Sequence, residues 1–74
     1  MENFNFDDGN GLVPAHKHPN GGGWVADTAN VDNSAYVGLQ ARVYGNARVY
    51  GESWVYDEAR VYGEALVYDE SWVY

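Results

Sequence analysis

No cysteine occurs in the chain. Neither a disulfide nor a thiolate metal site can therefore staple the fold, and a reducing cytosol is the expected setting. Basic residues are almost as scarce, with four Lys and Arg against eleven Asp and Glu and a formal charge of −7. That balance opposes generic binding to DNA, RNA or an anionic membrane, each of which calls for a basic field. It leaves room for mimicry of a nucleic acid, or for a small anion held at a local basic spot. No apolar run reaches the length of a membrane span. The opening, MENFNFDDGNGL, carries acids and no basic cluster, so it does not read as a signal peptide.

Aromatic residues are plentiful. Seven Tyr, three Trp and two Phe make up 16% of the chain, too many large apolar side chains for a disordered polymer. Seventy-four residues allow at most one domain, in the size range where a single core is marginal.

The order of these residues is periodic. Valine recurs every six positions, at Val25, Val31, Val37, Val43, Val49, Val55, Val61, Val67 and Val73. Two places before each stands a small residue: Gly23, Ala29, Ala35, Ala41, Ala47, Ser53, Ala59, Ala65 or Ser71. Side chains two apart share one face of a strand, so the small residue and the valine point inward, while neighbours such as Arg42 and Tyr44 point outward. On a helix, positions six apart fall about 120° out of line, so the pattern makes no helical stripe. The two remaining positions of each hexad read as corners. Gly, Asn or Asp, which tolerate positive φ, fills the first of them everywhere except at Leu39, and the last corner is Asp69-Glu70.

This small-x-valine register, unbroken over nine hexads, resembles the hexapeptide-repeat family across residues 21–74. The resemblance implies an all-β fold, a left-handed parallel β-helix of triangular cross-section with about three coils. Residues 1–22 would form an irregular N-terminal cap and glycine-rich loop, and residues 23–74 the repeat. The dense style of "ARVYGNARVYGE" is similar to repeats of phage and bacterial reading frames, which suggests the host cytoplasm as the location if the chain is phage-encoded.

With three hexads to a coil, residues eighteen apart stack on one face. One face then carries Tyr36, Trp54 and Trp72 beside Gly38, Tyr56 and Tyr74. A second carries Trp24, Arg42 and Arg60 beside Ala26, Tyr44 and Tyr62, and the third carries Asn30, Arg48 and Leu66. Each buried valine contributes about 1.5–3 kcal/mol, while ordering each residue costs about 1.5 kcal/mol. A three-coil core therefore needs a packed cap or self-association. Ladders of aromatics can simply stiffen a thin helix. The patch formed by Tyr36, Trp54, Tyr56, Trp72 and Tyr74 is large enough to be expected as a contact between protomers of a homo-oligomer. The exposed edge of a terminal coil offers an end-to-end contact as a second expectation.

The repeat breaks before residue 23. Phe4 and Phe6 in "NFNF" are expected to plug or cover the first coil. The segment "PAHKHPNGGGW" brings His16, Lys17, His18, Asn20, Gly21, Gly22, Gly23 and Trp24 together. Glycine amides can nest an anion, and an indole beside arginines can stack on a base. These residues, with Arg42 and Arg60, are the candidate site for a phosphate-bearing small ligand such as a cyclic nucleotide. A plain cap explains the same glycines. His16-x-His18 supplies two imidazoles without a third ligand, so no metal or other cofactor is expected.

Many hexapeptide-repeat proteins are acyltransferases with a catalytic histidine on an inserted loop. No insertion interrupts residues 21–74, His16 and His18 are the only candidate general bases, and no nucleophile–base pair stands out. The chain is therefore not expected to be an enzyme. Two readings remain. One is a small oligomeric binding protein, of the kind with which phages sequester nucleotide immune signals. The other is a structural β-helix element of a spike, fibre or similar assembly. The initial Met and the lack of an attachment domain lean toward the first.

Overall fold

In the computed structural model, residues 2–68 and 71–73 are described. A hairpin comes first, β1 (Glu2–Asn5) and β2 (Leu12–Lys17), followed by β3 (Trp24–Ala26). Eight two-residue strands complete the repeat: β4 (Asn30–Val31), β5 (Tyr36–Val37), β6 (Arg42–Val43), β7 (Arg48–Val49), β8 (Trp54–Val55), β9 (Arg60–Val61), β10 (Leu66–Val67) and β11 (Trp72–Val73). There is no helix among the described residues, so none is long and apolar enough to cross a membrane.

Strands one coil apart pair in parallel. β3-β6-β9, β4-β7-β10 and β5-β8-β11 form the three sides of a β-solenoid, with Val25 opposite Val43 and Val43 opposite Val61 on the first side. The register of eighteen expected from the hexads holds on the other two sides as well. Backbone bonds from Asn30 to Ala47, Tyr36 to Ser53 and Arg42 to Ala59, each of 2.9–3.0 Å, tie successive coils together. Val25, Val37, Val43, Val49 and Val55 are fully buried with Ala35, Ala41 and Ala47 between them. Ser53 stands where most coils have alanine, and its buried hydroxyl donates to the Tyr50 carbonyl at 2.7 Å. A polar atom inside the prism is thereby satisfied within its own coil.

The corners are of two kinds. Gly45, Gly51, Asp57 and Gly63 take positive φ, as their residue types allow. Asp27, Asn33 and Leu39 do not, so the expectation of a left-handed first corner residue fails in the first coil. There the turn closes by bonds such as Ala29 N–H to Ala26 O and Ala41 N–H to Gly38 O, both 2.9 Å. Leu39 is admissible at its corner because that turn needs no positive φ. Polar side chains of this coil also reach the next one. The Ser34 hydroxyl donates to the Gly51 carbonyl, and Asp32 accepts from the Gly51 N–H, both at 2.8 Å. The corner Asp69-Glu70 lies outside the described residues.

The hairpin extends the first side, with β2 antiparallel to both β1 and β3. Phe4 and Phe6 do not plug the coil from its end. They cover it from outside, Phe4 stacking on Trp24 at 4.8 Å and Phe6 on Tyr44 at 4.9 Å. A second small core results, in which Phe6, Ala15, Ala26 and Tyr44 are buried. Ala26 and Tyr44, outward by register, thus lose their solvent exposure to the hairpin.

Candidate functional site

The glycine-rich loop closes the N-terminal end of the solenoid. Asn20 O accepts from the Val37 N–H and Gly23 N–H donates to Val37 O, both at 3.0 Å, so the loop lies along β5 as a coil above it would. A Cβ on Gly21 would collide with the Val37 carbonyl, and one on Gly23 with the Gly38 carbonyl. These glycines are required by close backbone approach. The Gly22 N–H donates to His18 O at 3.0 Å. Two amides of the expected anion nest, Gly22 and Gly23, are therefore committed inside the cap. His18 is 3% exposed, and its Nε2 lies 2.8 Å from the Ala35 carbonyl, where it plugs the prism. The sequence places His18 among ligand-facing residues; its burial and bond place it in the cap.

The remaining residues of that candidate set divide. His16 is exposed, with Nδ1 2.8 Å from Oδ1 of Asp27, an ion pair when the imidazole is protonated. Lys17 lies with Nζ 5.6 Å from the Trp24 ring, and the Arg42 guanidinium sits 5.0 Å from the Phe4 ring. Lys17, Trp24, Phe4 and Arg42 form a run of stacked contacts that fastens the hairpin to β3 and β6. The expected indole platform for a base is thereby occupied by Phe4. The Arg42 guanidinium donates from one nitrogen to Gln40 O at 3.1 Å. Arg60 is exposed one rung beyond Arg42 and makes no ion pair with a described residue. Among the described residues, no three His, Cys, Asp or Glu side chains come together as a metal cluster would require.

The face of β5, β8 and β11 is built differently. Tyr36, Trp54 and Trp72 stand in one column, with ring centroids 5.5 and 6.0 Å apart. Tyr56 meets Trp72 edge to face at 6.1 Å. Trp54 is 47% exposed, Trp72 60% and Leu39 72%. The fifth aromatic assigned to this patch, Tyr74, lies outside the described residues. Beside the column runs an open depression of about 610 Å³, lined by Tyr36, Gly38, Trp54, Tyr56 and Trp72 together with Leu39, Gln40 and Asp57.

Gly38 opens this depression. In the later coils the residue after the valine is a tyrosine, as in Tyr44, Tyr50, Tyr56, Tyr62 and Tyr68. Tyr44 stacks on Tyr62 at 5.3 Å, whereas above Tyr56 stands a glycine, with no ring to cover it and with the Tyr56 Cα only 3.3 Å from where a Cβ would lie. Gly38, Leu39, Gln40 and Asp57 were not among the candidate residues read from sequence. The signal was a local one: Gly38-Leu39 is the place inside the repeat where both the tyrosine and the corner residue are replaced.

The surface so formed holds aromatic rings and carboxylates. Asp57 borders the depression, Glu52 lines a smaller one with Tyr36 and Trp54 on the other side of the column, and no lysine or arginine lines either. Such a face suits docking by burial and stacking.

No curated protein and no solved structure matches the chain. Residues 41–57, the stretch from β6 to β8, match the family model of the YdcK Beta solenoid repeat. In this stretch the chain is similar to that family, and its three stacked sides of parallel strands are a β-solenoid.

Proposed function

We propose that the chain is a non-catalytic β-solenoid element that works by self-association, docking through the face of β5, β8 and β11. The observation that carries this reading is the column Tyr36–Trp54–Trp72, whose two indoles are exposed and which is continuous with the exposed Leu39 and with Tyr56 on one side of a small fold. Contiguous aromatic surface of this kind costs solvation free energy while it faces water and is enriched at protein contacts. An open, exposed depression accommodates a macromolecular surface better than a small ligand held on all sides. The role that follows is architectural: a building block of an oligomer or a larger assembly such as a spike or fibre.

Light scattering at micromolar concentration tests the reading. The wild-type chain is expected to show a mass that is a multiple of 8.2 kDa, and Trp54→Ser with Trp72→Ser is expected to bring it to a single chain. A wild type that is already a single chain at these concentrations ends the proposal.

Sequestration of a phosphate-bearing ligand, such as a cyclic nucleotide from a phage-encoded setting, is the competing reading. It retains Arg42 and the exposed Arg60 but lacks the amides of Gly22 and Gly23 and the covered face of Trp24. Calorimetry with cyclic mono-, di- and trinucleotides addresses it directly. Binding at tens of micromolar that disappears in Lys17→Ala would restore it over the architectural one.

A further inference from the structure

The four cations of the chain are distributed unevenly. Lys17, Arg42 and Arg60 lie on the first side of the solenoid and Arg48 on the side of β4, β7 and β10. The aromatic side is bordered by Glu52 and Asp57. If two copies met aromatic face to aromatic face, each would bring these carboxylates against the partner's own, with no cation to offset them. Like charges brought together in this way disfavour a contact. On the arginine side Arg42 and Arg60 line a depression with Gln40 and Glu58, two cations against one carboxylate.

The two sides also share a ladder spacing. Arg42 and Arg60 are direct partners in the parallel register of β6 and β9, one coil apart. Trp54 and Trp72 are direct partners in β8 and β11, also one coil apart. Both ladders therefore rise by the same strand-to-strand distance, about 4.8 Å. On the arginine side Arg42 is half-buried, its guanidinium packed on Phe4 and bonded to Gln40 O, so the exposed Arg60 is the guanidinium placed to meet an indole of another copy. A guanidinium is flat, weakly hydrated and suited to stacking on an aromatic face. Arg60 is available for this, being exposed and without an ion-pair partner among the described residues.

We propose that the aromatic face of one copy receives the Arg42–Arg60 side of the next, with the exposed Arg60 as the inserting cation, a head-to-tail contact between two different surfaces of the same chain. The proposal rests on the self-association reading above and names its second surface. A contact of this class joins unlike patches, so each copy has one donor side and one acceptor side, and copies add until a ring closes or an open array grows.

Mixing two defective chains tests this geometry. Arg60→Glu reverses the charge at an exposed position of the donor side and leaves the acceptor side intact. Trp54→Ser with Trp72→Ser removes the acceptor side and leaves the arginines intact. In sedimentation velocity each variant alone is expected to run as a single chain, with at least a tenfold weaker association than wild type. An equimolar mixture is expected to give a species of two chains, since one sound donor side meets one sound acceptor side and growth stops there. If the tryptophan variant loses its circular dichroism, Glu52→Arg at an exposed corner takes its place, setting a cation against the incoming Arg60. Wild-type mass retained by Arg60→Glu would overturn the head-to-tail contact while leaving self-association standing. A mixture that stays as single chains would overturn it too, and a single-chain wild type would remove both proposals.

Discussion

Adjacent residues in each rung experience opposite surroundings. Val49 is completely buried within the prism, and Tyr50 beside it is partly in solvent on the outer face. Val49→Asp would place a carboxylate among Val31, Val67 and the alanines of the core with no partner. An unpaired buried charge costs several kcal/mol, comparable to the whole stability of a small domain, so this variant is expected not to fold. Tyr50→Asp is expected to cost about 1 kcal/mol or less, because its carboxylate stays hydrated. Urea melts of the two variants check the register. Equal losses would mean that the inward and outward assignments are wrong.

Two-residue strands are too short to persist singly, and here each is held by a neighbour a coil away. The first coil lacks such a neighbour toward the N-terminus, and the polypeptide solves this with two separate elements. The loop 18–23 lies over β5 and sends His18 into the open end. The hairpin of β1 and β2 pairs with β3 and closes its phenylalanines over the outer face. Phe6 is 1% exposed and Phe4 only half-buried. Phe6→Ala is therefore expected to lose about 3–5 kcal/mol, and Phe4→Ala clearly less. Denaturant titration of both variants measures the difference. A Phe6→Ala loss below about 1 kcal/mol would show that the hairpin contributes little to holding the first coil.

At the scale of the molecule, a narrow prism of valine and alanine buries little area per residue, while Trp54, Trp72, Leu39, Tyr62, Leu66 and Tyr68 remain exposed on its flanks. A fold with this ratio gains stability whenever copies cover those flanks. Mass action then makes the melting temperature depend on protein concentration. Raising the concentration about a hundredfold, from roughly 1 to 100 µM, is expected to raise the melting temperature by about 5 °C or more. Calorimetric scans across that range would return a constant value for a chain that melts as an independent monomer, contrary to the expectation.

The repeat by itself determined the solenoid. A valine every sixth residue with a small residue two before it admits one inward set in a strand period of two, and the stacking of residues eighteen apart follows once three hexads make a coil. The aromatic column on β5, β8 and β11 was legible for the same reason, since outward positions inherit the period of the inward ones. Residues 1–22 carry no period, and their placement was settled by packing at long range. Only the folded chain shows that Phe4 takes the Trp24 face, that Phe6 covers Tyr44, and that Gly21 and Gly23 are needed because the Val37 and Gly38 carbonyls leave no room for a Cβ. A glycine run reads alike whether it cradles an anion or admits a neighbouring strand, because the distinction lies in what its N–H groups meet. Gly38 belongs with these. In sequence it is one missing tyrosine, and it becomes a depression only when Tyr56 of the next coil is set beneath it.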